Sequence, residues 1–572
     1  MVRLRPFLLA SALLGVASVS AQTGEGNDGD KVRVWAAVAY INHGEKTPSL
    51  GHLREVLTPE GAQQMWRQGR AFRARYINAT EHLDVTEREV TGTAPIHGID
   101  ANVIDNTHVD VVTTEDEWVV GSALAFFQGL YPPVTNNYNK LGGGEDLAHS
   151  LYGNDSETVE FPLSGYQYPK LQTLPSRDSQ SASIQGTVGC TAWSREMDGP
   201  LKKREDMRTL EKNTQKFYQD LFSSTPLEGA IDSNTANIWN AYELYEYVKY
   251  MHTHNKTVHN GLKDADGILS KLEENALALQ QARNIKSDTD HNETVAELYT
   301  TAGRTLAARI ADQLERNLKW EGARGKMGVM FGSFEPLLAF LSVGDLLTRE
   351  NLLSGSFTRF PEPGAALIYE LIGDIPEDVD AVPDPDDLRI RFQYRASADE
   401  DESFESFSLF GSEESGKSMP YRSFNKEMRK AGLSSEEWCD ICGPTNVSWC
   451  PSSDSSDDSG DEGGSGILRS KSRLHPAFAG LIGALIMGTV LTFVAITLCA
   501  VCGFRIRRVS PAERGVSTHG GSSGGGFKGR EKRAQDADVA VSGAGTHQER
   551  VGSWEMRGDD DGGGGGGITG VA

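Results

Sequence analysis

The stretch that most narrows what this chain can become is AFAGLIGALIMGTVLTFVAITLCAVCGF, from Ala477 to Phe504, which carries no charged residue. A helix rises about 1.5 Å per residue, so roughly 20 such residues cross the hydrocarbon core of a bilayer. One transmembrane helix is therefore expected over 477–504, dividing the 572-residue chain into a large N-terminal part and a short tail. Arg505, Arg507 and Arg508 follow the run while Arg469, Lys471 and Arg473 precede it, so the positive-inside rule is nearly tied. Residues 1–21 break the tie: Arg3 and Arg5, the apolar run Phe7 to Val19 and the small pair Ser20-Ala21 read as a secretory signal peptide cleaved after Ala21. The expected topology is single-pass type I, in a secretory or cell-surface membrane, with the N-terminal part lumenal or extracellular. Ala479, Gly480, Gly483 and Ala484 provide small-residue spacings for helix pairing, and Cys499 and Cys502 sit where palmitoylation occurs.

Either side of the span the chain lacks the apolar residues needed to form a core. Residues 451–476, with PSSDSSDDSGDEGGSG, read as an acidic Ser/Gly stalk, and 505–572 read as a disordered cytoplasmic tail. Residues 22–450 remain as one ectodomain. The net charge of −24 argues against nucleic acid, since phosphate backbones are held by excess Lys and Arg. Sequons at Asn78, Asn154, Asn255, Asn292 and Asn446 are expected to carry glycans in a secreted chain. Cys190, Cys439, Cys442 and Cys450 suggest two disulfides, with three pairings open. Cys439 and Cys442 form a CxxC, but no second CxxC and no histidines at ligand spacing accompany it, so no metal and no cofactor is expected.

Within the ectodomain, Val32 to Ile41 reads as a buried strand, and Leu57 to Ile77 as a helix with Thr58 as cap and Pro59 in its first turn. Strand patterns return at 109–114, 326–332, 366–373 and 388–396, and a helical pattern covers 116–129. The acidic segments EDVDAVPDPDD and ADEDESFES read as solvated loops. Between about 195 and 322 the chain is rich in helical Leu/Ala spacing, and strands flanking such a stretch predict an α/β core with an inserted α-helical lobe.

Once these elements are placed, YINHGEKTP at the end of the first strand resembles the R-H-G-x-R-x-P signature of the histidine phosphatase branch that contains histidine acid phosphatases and phytases. VDVVTTEDEWVVGSALAFFQGLYPP and VMFGSFEPLLAFLSV resemble that family's later blocks, in order and spacing. The resemblance implies a three-layer core and hydrolysis of phosphomonoesters through a phosphohistidine. A neutral histidine attacks phosphorus, arginines hold the equatorial oxygens, and a distal histidine and acid complete the site.

Carried over by position, His43 keeps the nucleophile, with Gly44 and Pro48 shaping the turn. The arginine positions fall on Asn42, Lys46 and Trp118; the distal histidine falls on Ser333 and the acid on Phe334, with Glu335 the candidate for a displaced acid. Loss of a single oxyanion donor costs about 10²- to 10³-fold in rate, so several losses together leave little activity. The sequence therefore predicts a catalytically impaired, phosphatase-like membrane glycoprotein whose cleft binds a small ligand or a protein partner. The alternative is a weak acid phosphatase using His43, Lys46 as anion anchor and Glu335 as acid. Beside these roles stand blander ones: His43 as a turn histidine, Lys46 as a solvated charge, Trp118 as packing and Phe334 as pocket wall. Trp118 and Phe334 also predict a cleft less polar than a phosphate site.

Overall fold

A computed structural model describes residues 32–450 apart from 52, 78–91, 150–158, 286–292, 348–350, 352–354, 413–416 and 444–446. The expected signal peptide, stalk, membrane span and tail, and the sequons at Asn78, Asn154, Asn292 and Asn446, lie outside the described residues. Among those described, no helix is long and apolar enough to cross a membrane.

The strands are β1 (Val32–Asn42), β2 (Val109–Thr114), β3 (Leu171–Leu174), β4 (Met327–Gly332), β5 (Ala366–Asp374), β6 (Leu388–Arg395), β7 (Glu405–Phe407) and β8 (Ser418–Pro420). They form one sheet in the order β3-β2-β4-β1-β5-β6-β7, with β8 pairing β6. The β3, β2, β4 and β1 neighbours run parallel, and every pairing from β5 onward is antiparallel. β1 is apolar along nearly its whole length because both sheet faces are covered, which removes the apolar/polar alternation of a one-sided strand. Its side chains still divide between the faces: Val38 and Tyr40 enter one core, Ala37, Ala39 and Ile41 the other. Trp35 and Ala36 enter the same core despite being adjacent, because the register against β5 shifts between Val34 and Ala36.

One face is covered by α1 (Pro59–Tyr76) and α2 (Glu117–Leu130), which supply Met65, Phe72, Val119 and Phe126 to the core. Thr58 caps α1, its hydroxyl accepting from Gly61 N at 2.9 Å. The two helices touch backbone to backbone: a Cβ on Gly69 would lie 2.0 Å from the Phe126 carbonyl oxygen, and one on Gly129 would lie 2.1 Å from that of Trp66. A lobe built from α3 (Glu205–Phe222), α4 (Ala241–His254) and α5 (Ala265–Asn284) packs around Tyr218, Phe222, Leu244, Val248, Leu272 and Leu279.

The other face of the sheet is covered by α6 (Thr301–Lys319), α7 (Phe334–Val343) and α8 (Tyr421–Ala431). The molecule is thus a three-layer α/β core carrying a helical lobe. One boundary needs correcting: α6 falls inside the predicted insert of about 195–322, yet its Leu306, Ile310 and Leu314 stripe packs in the sheet core with Val38 and Met330. Helical periodicity alone does not distinguish a helix that covers a sheet from one that covers other helices. The acidic segment ADEDESFES is also more ordered than expected. Glu405–Phe407 forms β7, and the buried Arg395 guanidinium donates to the carbonyls of Ser397, Asp399 and Glu402.

Disulfides join Cys190 to Cys442 and Cys439 to Cys450, so the two cysteines of the CxxC bond different partners. The first link and the buried Trp438, whose Nε1 donates to Gly186 O at 2.5 Å, tie α9 (Ser435–Cys442) to the segment after β3. Replacing Cys190 and Cys442 together by alanine is expected to lower the unfolding free energy by about 3 kcal/mol, since a link spanning this much chain greatly restricts the unfolded ensemble. Thermal denaturation checks this; a midpoint within about 1 °C of the parent's would show that the link contributes nothing.

Candidate functional site

Strands β2, β4 and β1 are parallel neighbours, so the chain leaves all three at the same sheet edge, where open α/β sheets place their ligands. His43 follows β1, Asp116 and Trp118 follow β2, and Ser333, Phe334 and Glu335 follow β4. These six, with Lys46, Thr114, Gln185, Thr187, Val188 and Tyr242 among others, line a cavity of about 200 Å³. Asn42 lies to one side, in an adjoining cavity of about 70 Å³ that shares His43, Lys46 and Tyr242 with the first. The residues singled out in the sequence therefore converge, apart from this offset of Asn42.

The turn that presents His43 is pressed onto the start of α1. A Cβ on Gly44 would come within 2.3 Å of the Gly61 carbonyl oxygen, so the approach requires glycine. His43 N donates to Gly332 O at 3.0 Å, and Gly44 N donates to Ser122 Oγ at 3.0 Å, which locks the turn to β4 and α2. His43 is 7 % exposed, and its ring Nδ1 lies 2.7 Å from Gly44 O. Burial lowers its pKa to about 4; the adjacent Lys46 charge acts in the same direction, while the Gly44 carbonyl and Glu55 oppose. Above about pH 5 the imidazole is neutral, Nδ1 carries the proton given to Gly44, and Nε2 holds the lone pair.

The groups that would receive an anion are differently disposed. Lys46 is 8 % exposed rather than solvated, and its Nζ sits 2.8 Å from Glu55 Oε2 and 3.1 Å from Glu246 Oε1. It also lies 5.5 Å from the centre of the Trp118 ring. Asn42 turns its amide away, Nδ2 donating to Glu362 O at 3.1 Å. Trp118 is half-buried and meets the His43 ring edge-on at 6.5 Å. Phe334, 2 % exposed, contacts Tyr242 at 4.5 Å and Phe360 at 4.7 Å between ring centres, joining the start of α7 to the helical lobe. Ser333 accepts from Tyr40 OH through its carbonyl at 2.8 Å. Glu335 has one carboxylate oxygen, Oε2, shut from solvent without a hydrogen-bond partner among the described residues, and burial pushes its pKa above the ordinary carboxylate range. Burial likewise raises Glu246, against the opposing pull of Lys46.

Several of these groups had no local signal. Glu246 reaches Lys46 from 200 residues away on α4, and Tyr242 from the same helix walls both cavities. Gln185 arrives from the connection after β3. Asp116 could have been noticed as the cap position of the predicted helix at 116–129.

The family model for "Histidine phosphatase superfamily (branch 2)" matches residues 38–371, more than half of the chain and all of the strand-end residues described above. Among solved structures the fold is similar to the phytase of Klebsiella sp. ASR1, at 9 % identity and TM-score 0.44, covering 74 % of this chain and 98 % of that one. The phytase from D. castellii matches at 13 % identity and TM-score 0.41, covering 74 % and 84 %. The multiple inositol polyphosphate phosphatase of Bifidobacterium longum, in complex with inositol hexasulfate, matches at 12 % identity and TM-score 0.36, covering 72 % and 96 %. Likenesses this distant say nothing of substrate. No curated protein matches the chain by sequence.

Proposed function

The chain belongs to branch 2 of the histidine phosphatase superfamily, and on that footing we propose that its phosphatase-like domain does not turn over phosphomonoesters but acts by binding a ligand or partner in the cleft beside His43. In the same reading the domain is the glycosylated outer part of a single-pass membrane protein, translocated by residues 1–21 and anchored by 477–504. The two disulfides accord with an oxidising compartment.

One observation carries the reading: Lys46, the sole cation at the positions corresponding to the family's arginines, is held between the carboxylates of Glu55 and Glu246. A phosphomonoester entering the cavity would meet Asp116 and Glu335 on its wall and, among the described residues that line it, no guanidinium fork to compensate its own charge. With a neutral imidazole but no anion seat, an in-line attack lacks both the positioning and the charge stabilisation that dominate such a reaction.

A second reading, as a weak phosphomonoesterase, draws on the tautomer of His43, whose Nε2 lone pair is the one a nucleophile needs. The two are separated by turnover of p-nitrophenyl phosphate between about pH 5 and 7, where His43 is neutral, using the purified full chain and a His43→Ala variant. The two proteins are expected to give the same background rate. A rate for the parent about tenfold or more above that of the variant would overturn the non-catalytic reading.

A further inference from the structure

The connection between α2 and β3 carries an exposed apolar surface that lines neither cavity. Of the twelve large apolar side chains that stand exposed among the described residues, six fall in it: Leu141, Leu147, Val159, Phe161, Leu163 and Tyr168. Leu141 and Leu163 are 89 % and 78 % exposed. Contacts between the two halves of the connection gather the six. Val159 N donates to Ala148 O at 2.9 Å, and Phe161 meets Tyr138 at 6.3 Å and Tyr168 at 6.1 Å between ring centres. Leu147 lies beside Leu141, since a Cβ on Gly142 would be 3.4 Å from Leu147 Cδ1. Leu163 is held outward at a cost: it and Ser164 have φ of 55° and 57°, a left-handed conformation that side chains with a Cβ rarely adopt. Taking roughly 150 Å² for each fully exposed side chain, the six offer an apolar area on the order of 600 Å², at the upper limit of what soluble monomers leave contiguous.

The rim of this surface carries both signs of charge, Lys140 and Lys170 against Glu145, Asp146 and Glu160, all exposed. In a twofold contact each residue meets a neighbour of its own counterpart, so a patch of mixed sign is complementary to itself and a patch of one sign is not. Interfaces are a little over half apolar, so about 600 Å² of apolar surface corresponds to about 1,000 Å² per partner, above the roughly 800 Å² of a standard contact. From the area, the rim and the strained leucine turn we infer that this surface pairs with the same surface of a second copy, making a symmetric dimer through residues 138–148 and 159–168. Three carboxylates against two lysines give an anionic bilayer no attraction. The membrane anchor proposed above would raise the effective concentration of the copies for one another. The dimer is independent of the cleft and stands whether or not His43 turns over phosphomonoesters.

The test uses the full chain, glycosylated and in detergent, since residues 150–158 between the two halves carry the sequon at Asn154. Sedimentation velocity is expected to give two copies per particle at about 10 µM, and the double variant Leu141→Ser, Leu163→Ser is expected to weaken the association at least about tenfold, as the loss of buried anchors does. Both leucines are mostly exposed in the single chain, so the double variant should unfold at the parent's temperature. A measurement on the unaltered protein needs no variant: amide hydrogen exchange in 138–148 and 159–168 should slow as the protein is concentrated from about 0.1 to about 10 µM. A monomer throughout that range, exchange that ignores concentration, or a dimer that the double variant leaves unchanged overturns the assignment. So does a dimer that forms only after the glycans are removed enzymatically. In phosphatidylcholine nanodiscs holding one copy each, the same amides should exchange as they do in the dilute protein; protection there would give the surface to lipid and overturn the pairing.

Discussion

Replacing Glu370 by alanine is expected to lower the unfolding free energy by about 3–5 kcal/mol, among the largest losses any single substitution in this domain should produce. Glu370 lies on β5 with no exposed surface. Its Oε1 accepts from Arg75 Nε at 2.8 Å and from Tyr76 OH at 2.8 Å, and its Oε2 accepts from Arg391 Nε at 2.5 Å. α1, β5 and β6 are thereby joined through one carboxylate. Truncation would take a fully buried carboxylate away from the desolvated guanidinium of Arg75 and from Arg391, and the lost charge pairing in a buried setting is the main source of the loss. Glu370→Gln keeps the volume and some hydrogen bonding, so a smaller loss is expected. Burial alone would raise the Glu370 pKa, but Arg75 and Arg391 outweigh burial and hold it below the ordinary carboxylate value. A carboxylate held low in the folded state stabilises the protein fully above the unfolded pKa of about 4.3, and that contribution is lost as the pH falls through the lower folded value. Urea denaturation at pH 7 and at pH values below about 4 is the measurement. If Glu370→Ala unfolds at the same urea concentration as the parent at pH 7, the cluster is not what holds these elements together.

Releasing Lys46 is the second large effect. The double variant Glu55→Gln, Glu246→Gln is expected to bind inorganic phosphate about 10- to 100-fold more tightly than the parent at pH 6, as read by titration calorimetry. In the parent both carboxylates lie close to Nζ and leave the ammonium little capacity for an external anion. Glutamine preserves length and shape while removing the charge. Of the two, Glu246 is the more buried, at 14 % side-chain exposure against 33 % for Glu55, so its charge is the less screened and its removal should account for most of the gain. Catalysis is not expected to follow, because a single lysine supplies charge without the planar fork that fixes phosphate orientation. Unchanged phosphate affinity would show that the carboxylates do not silence Lys46.

Much of this architecture was readable in the residues. The apolar run from Val32, the Thr58-Pro59 helix start and the VDVVTT strand all appear where their local patterns put them. The HGEKTP turn, too, stands where a strand end must deliver its histidine. β3 was missed because it is a four-residue edge strand with two exposed side chains, too short for a period to register. α6 was assigned to the wrong layer because its stripe looks the same whether it meets a sheet or a lobe. At the site, the substituted positions Asn42, Lys46, Trp118, Ser333 and Phe334 could be named from order and spacing. Their electrostatic state could not.

By itself the sequence determined the α/β order of elements, the residue types at each strand end and the loss of the arginines. Those depend on neighbours a few positions apart, through backbone propensity and side-chain periodicity. Only the tertiary structure decided that Lys46 is held between two carboxylates and that the Asn42 side-chain amide donates to the Glu362 carbonyl. Charge and hydrogen bonding act through distance and desolvation, and Glu246, 200 residues from Lys46 along the chain, is 3.1 Å from it in space.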